Sequence, residues 1–144
     1  MKNILVAVDL EASSHHLINS AAEQAEKSGA KVWVLHIAAP EPDFIGNEVG
    51  PQYVRDNLAE DIKTEHKLIR QYADELITKG IIAEALLIQG PTVKMILEEI
   101  EKLQIDLLII GHRPHSFLFK LLLGENHTAL VNKSKVPVLV VPLF

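Results

Sequence analysis

The sequence predicts an α/β fold, a doubly wound parallel β-sheet with helices on both faces. Short, continuous apolar runs rich in β-branched residues, such as NILVAV (Asn3–Val8), recur along the chain. Runs of this kind read as strands buried on both faces, as in parallel sheets. Between them lie longer stretches whose apolar residues fall at helical spacing. The two kinds of segment alternate strictly, β-α-β-α-β-α-β-α-β, which calls for right-handed crossovers and a sheet between two helical layers.

NILVAV is the first strand. Ser13 or Ser14 caps a helix that ends at Gly29. Its inner stripe is Leu17, Ile18, Ala21, Ala22 and Ala25, and the alanines let it lie close to the sheet. KVWVLHI (Lys31–Ile37) is the second strand. The stretch AAPEPDFIGNEVG has two prolines, two glycines and no period, so it reads as a loop. Loops this long in a compact domain are often functional. Pro51 suits a helix first turn. From there to Gly80 the stripe Val54, Leu58, Ile62, Ile69, Tyr72 and Leu76 predicts a long amphipathic helix. IIAEALLI (Ile81–Ile88) is the third strand. Gly90, Pro91 and Thr92 start a third helix that turns Val93, Ile96, Leu97, Ile100 and Leu103 inward. DLLIIG (Asp106–Gly111) is the fourth strand. After the loop GHRPHSFLFKLLLGE come a short helix, from about Glu125 to Ser134, and a last strand, VPVLVVP (Val136–Pro142). There is no internal repeat, low-complexity segment or linker, so residues 1–144 read as one domain.

Composition bounds the function classes. A chain of 144 residues, 48% hydrophobic and 23% charged, can build one full core. The net charge is -5 and no basic stripe is present, which disfavours nucleic acid as a partner. The absence of cysteine removes disulfides, thiolate nucleophiles and cysteine zinc sites, and fits a reducing compartment. The apolar run Ile4–Val8 is followed at once by Asp9 and Glu11, unlike a signal peptide. No apolar stretch approaches the ~20 residues of a membrane span. A cytoplasmic protein without a membrane or nucleic-acid partner is expected.

In sheets of this type ligands sit at the carboxyl ends of the strands, where strand order reverses. Three stretches can converge there: Asp9, then Ile37 and Ala38, then Gly111 onward. Asp9 reads either as a turn cap or as a carboxylate that accepts hydrogen bonds from ribose or adenine, and position alone leaves both open. The phosphate loop G-x-x-x-x-G-K-[ST] is missing, and no G-x-G-x-x-G follows the first strand. A receiver domain needs an aspartate on the third strand, which here ends LLIQG. A flavin loop wants glycine, which DLEASSHH lacks. His112, His115 and His127 lie near Arg113 and Lys120, but no carboxylate or cysteine completes a metal set, so they read as solvated loop residues. His15 and His16 diverge on their helix and read as surface. His36 reads as a hydrogen-bonded core or rim residue. No nucleophile, base and orienter form a set, since Ser116 is only a sequence neighbour of His115. A non-enzymatic protein is expected.

The chain resembles the universal stress protein family. The likeness rests on ILVAVDLEASSH, VWVLHI, GP...ILEEIEKLQIDLLIIGHR and LLLGE...VPVLVVP, in this order and over nearly the whole sequence. It implies a three-layer, Rossmann-like fold akin to the adenine nucleotide alpha hydrolases, with five parallel strands in the order 3-2-1-4-5. It also implies a cytoplasmic homodimer paired through the last strand, Val136–Pro142. Pro137 and Pro142 flank that strand and leave Val138 to Val141 free to bond across an edge. Read alone, the same prolines also suit the protected edge of a monomer.

One branch of that family binds ATP or AMP through G-x-x-G-(nine residues)-G-[ST]. Gly111 and Gly124 hold the first and third places here, while Pro114 and Glu125 replace the second glycine and the hydroxyl residue. Proline offers no N–H and fixes φ. At about 4 Å and an effective dielectric of about 20, a glutamate and a phosphate charge repel by roughly 4 kcal/mol. As a first-turn charge on the last helix, Glu125 also has a stabilising role of its own. The resemblance implies a site of Val8, Asp9, Ile37, Ile110, Gly111, Arg113, Gly124, Asn126 and His127, with AMP or ATP as the ligand it would take. AMP, with fewer charges, is the easier to accommodate. His115, Lys120 and Thr128 are further replacement donors around an anion. Two functions follow: a stress-response or signalling module with weak or absent nucleotide binding, or an ATP- or AMP-binding member that uses the crevice. In the first, Phe117, Leu118 and Phe119 anchor the loop or meet a partner.

Overall fold

Among the described residues of the computed structural model (1–8, 14–38, 52–112 and 130–143), the elements alternate as the sequence predicts. They are β1 (Asn3–Ala7), α1 (Ser14–Ser28), β2 (Lys31–Ala38), α2 (Gln52–Thr78), β3 (Ala83–Gln89), α3 (Thr92–Lys102), β4 (Leu107–His112), α4 (Leu130–Lys133) and β5 (Val138–Pro142). All strand pairings are parallel and the order is β3-β2-β1-β4-β5. This is the expected doubly wound sheet.

The apolar strands are continuous because both faces are covered. Ile4, Leu5 and Val6 are each fully buried. Side chains alternate between faces with a period of two. Ile4, Val6, Val8, Val32, Val34, Leu107 and Ile109 join α1 and α2 in one core. Leu5, Leu35, Ile37, Leu108 and Ile110 join Ile96 and Ile100 of α3 and Leu130 of α4 in the other. The five-residue stripe expected on α1 is buried throughout. On α2, Ile69, Tyr72 and Leu76 are buried and Ile62 is half-buried, while the side chains of Val54 and Leu58 lie outside the described part. Ile96 and Ile100 are the buried members of the α3 stripe, and Val93, Leu97 and Leu103 are half-buried. Among the described residues no helix is long and apolar enough to cross a membrane.

The boundaries that moved have local causes. The third strand begins at Ala83 rather than Ile81, because Ile81 closes α2. Its N–H bonds the Leu76 carbonyl and the Gly80 N–H bonds that of Ile77, with Gly80 left-handed at φ 85°. This is the six-to-one and five-to-two pattern of a Schellman stop. Helix α3 stops the same way, Ile105 N–H to Ile100 and Gln104 N–H to Glu101, but the left-handed place at φ 54° is held by Gln104. The last strand begins at Val138, because Ser134 Oγ both accepts from the Val136 N–H and donates to the Val136 carbonyl, forming a turn. The expected start of the last helix at Glu125 lies outside the described residues. At the amino ends of the strands, the Asp106 carboxylate accepts from the N–H groups of Lys2 (2.7 Å) and Asn3 (3.0 Å). These bonds, Lys2 first, hold its carboxyl below the ordinary range.

Candidate functional site

Strand β1 is where the order reverses: the chain runs from β1 outward to β2 and β3, then returns to β1's other side for β4 and β5. The ladders at the carboxyl end are uneven. Pairing of β1 with β2 ends at Ala7–Leu35, and with β4 at Val6–Ile109. Strand β2 runs on to Ala38, still paired with β3, and β4 to His112, still paired with β5. Val8 continues β1 to the level of His36 and Gly111, so β2 exceeds it by Ile37 and Ala38 and β4 by His112. Among the described residues this leaves a shallow notch over the end of β1, flanked by Ile37 and Ala38 on one side and His112 on the other. Of the expected site residues, Val8, Ile37, Ile110 and Gly111 therefore come together here. Asp9, Arg113, Gly124, Asn126 and His127 lie outside the described residues, as do Pro114 and Glu125.

The four placed residues are also structural. Val8 and Ile110 are buried in opposite cores, and Ile37 is 8% exposed. Gly111 is a close-approach glycine. A Cβ built there would overlap Leu143 Cδ1 and stand 3.1 Å from Leu143 Cγ and 3.3 Å from Leu17 Cδ1. Among the described residues the floor is held from β2. The Val8 N–H donates to the Leu35 carbonyl at 2.9 Å. The Val8 carbonyl accepts from His36 Nδ1, also at 2.9 Å. His36 Nε2 lies 3.5 Å from Glu65 Oε2 of α2. The reading of His36 as a hydrogen-bonded rim residue is thereby met. Its inward place was legible, since it continues the alternation of Val32 and Val34, but its partner was not. His15 and His16 are exposed as expected, yet His15 also stacks edge-on against Tyr72 and faces Glu75 at 3.5 Å, joining α1 to α2.

Helix α1 begins at Ser14, which is buried beside the carboxyl end of β1; Ser13 lies outside the described residues. Helix α3 begins after Pro91 without a side-chain cap, and the buried Thr92 hydroxyl finds no hydrogen-bond partner. Among the described residues no cluster of three or more histidines, cysteines or carboxylates suits a metal ion. The arrangement gathers the backbone of Val8, Ile37 and Gly111 at one end of the sheet, while the Ile110 side chain is fully buried in the core.

Comparison with known proteins agrees with this architecture. The universal stress protein family profile matches residues 1–142. Universal stress protein A homolog 1 of Coxiella burnetii is 33% identical over 142 residues, covering 97% of this chain and 95% of that protein. Among solved structures, a universal stress protein in complex with cAMP matches with a TM-score of 0.69 at 22% identity, covering 98% of this chain and 96% of that one. The universal stress protein from Archaeoglobus fulgidus in complex with dAMP matches with a TM-score of 0.66 at 17% identity, covering 100% of this chain and 98% of that one.

Proposed function

This chain belongs to the universal stress protein family, and from that premise we propose a non-enzymatic stress-response or signalling module that holds adenine mononucleotides weakly. The observation that carries the proposal is the notch over β1 at the point where strand order reverses. Related folds hold cAMP and dAMP, which are adenine mononucleotides. In this reading the backbone at Ile37 reads adenine, and Asp9, beside Val8, accepts from ribose or adenine. Gly111, Arg113, Gly124, Asn126 and His127 surround the phosphate. Pro114 withholds an N–H and Glu125 adds a negative charge, so each further phosphate on the ligand binds less well and AMP is preferred to ATP. The module works in the cytoplasm as a homodimer paired through the last strand. Support for that pairing is the outer edge of β5, which has no strand partner among the described residues and leaves Val140 37% exposed.

The test is calorimetric titration of the wild type and of Pro114→Gly with Glu125→Ser. The double substitution is expected to strengthen ATP binding at least tenfold, about 1.4 kcal/mol. No gain in ATP affinity would remove these two residues as the cause of weak binding.

A further inference from the structure

We propose that His36 and Glu65 are positioning residues for the crevice, fixing the Val8 carbonyl at the carboxyl end of β1. The contact stands on the geometry alone, while its consequence for binding rests on the adenine-nucleotide reading above. Beyond Ala7–Leu35 the β1–β2 ladder stops, and the Val8 carbonyl needs a donor from elsewhere. His36 supplies it from Nδ1 at 2.9 Å. A carbonyl only accepts, so Nδ1 carries the hydrogen. The peptide unit is planar, so the Val8 C=O and the Asp9 N–H share one rigid plane. Whatever fixes the carbonyl also fixes that plane.

The ring is held in turn from its other side. Glu65 Oε2 lies 3.5 Å from Nε2 and is buried with no hydrogen-bond partner of its own, so the imidazole is the polar group it faces. The side chains of His36 and Glu65 are 14% and 32% exposed, shielded enough for the contact to hold a geometry. Only a ring that carries a hydrogen on both nitrogens donates to the Val8 carbonyl and to the Glu65 carboxylate at once. Glu65 belongs to α2 and Val8 to the floor of the notch. The pair therefore ties the helix after the 39–51 segment to the strand that precedes Asp9.

The experiment follows backbone amide exchange of Val8 and residues 9–14, together with AMP titration, in wild type, His36→Ala, His36→Asn and Glu65→Ala. The Asn amide nitrogen occupies the place of Nδ1 and keeps the donor to Val8. Expected is faster exchange and weaker AMP binding in His36→Ala, each by about two- to tenfold, the range of one lost hydrogen bond. His36→Asn should return both to within about twofold of wild type, and Glu65→Ala should fall between. Unchanged exchange in both His36→Ala and Glu65→Ala overturns the proposal. Failure of Asn to restore exchange also overturns it, because side-chain volume rather than the Val8 bond would then be what counts. If His36→Ala does not fold, Glu65→Ala decides: faster exchange supports positioning, wild-type exchange removes it. A wild type that ignores AMP while exchange responds as described would sink the nucleotide reading and leave the positioning role standing.

Discussion

Replacing Gly111 by alanine separates packing from phosphate recognition in the first glycine of the loop motif. Gly111 does not have a positive φ, so the backbone admits any residue and the effect is steric. The added Cβ overlaps Leu143 Cδ1 and crowds Leu143 Cγ at 3.1 Å and Leu17 Cδ1 at 3.3 Å. Leu143 is 5% exposed and Leu17 1%, so neither side chain has open solvent to move into. Overpacking of this kind costs about 1–3 kcal/mol. Leu143 follows the last strand and can shift as a unit, which places the expected loss at about 1–2 kcal/mol. In a chain of this size that lowers Tm by roughly 3–8 °C. Urea unfolding read by Trp33 fluorescence and circular dichroism measures the change. The cause is tested by a double-mutant cycle with Leu143→Ala, which removes the atoms that collide. The double variant should lose less than the sum of the single losses, by at least about 0.5 kcal/mol. Gly111→Ala within about 0.5 kcal/mol of wild type, or strict additivity in the cycle, refutes the reasoning.

Gln104→Gly relieves left-handed strain of about 1–2 kcal/mol and gives back about 0.4–1 kcal/mol through a freer unfolded chain. A net gain of about 0.5 kcal/mol is expected in thermal unfolding, whereas Gln104→Ala should give none. Asp106 has its folded pKa depressed by the Lys2 and Asn3 N–H groups, so its contribution to stability is fully present above the ordinary carboxylate range. That contribution is lost as pH falls through the folded value, below about 4. The stability difference between wild type and Asp106→Asn should thus stay flat from about pH 7 to 5 and shrink in stronger acid; a difference independent of pH down to about 2 contradicts the clamp.

The strands were readable because burial on both faces leaves uninterrupted apolar runs, and the helices because α1 and α2 show one-sided stripes. Helix ends were readable where glycine marks them, at Gly29 and Gly80. The end of α3 was less so, since Gln104 fills a place glycine usually takes. The notch was legible only as a location. Its depth comes from β2 and β4 outrunning β1, which depends on parallel register, and register is set by tertiary pairing rather than by any one strand. Likewise His36 could be placed facing inward from its alternation with Val34, but only the docking of α2 shows that Glu65 meets it. Asp106 read as the start of a strand, and its bonds to Lys2 and Asn3 follow from β1 and β4 being neighbours. In the sequence Gly111 reads as the first glycine of the loop motif, and the structure adds a packing role through Leu143.

The most direct measurement is paired calorimetry of the folded protein with AMP and with ATP, preceded by mass spectrometry of small molecules released on denaturation. A weak adenine mononucleotide site predicts saturable AMP binding, tighter than ATP by at least about threefold, or roughly 0.7 kcal/mol, and no nucleotide turnover. ATP bound more tightly than AMP, or hydrolysed, would contradict the account, as would a folded protein that takes up neither.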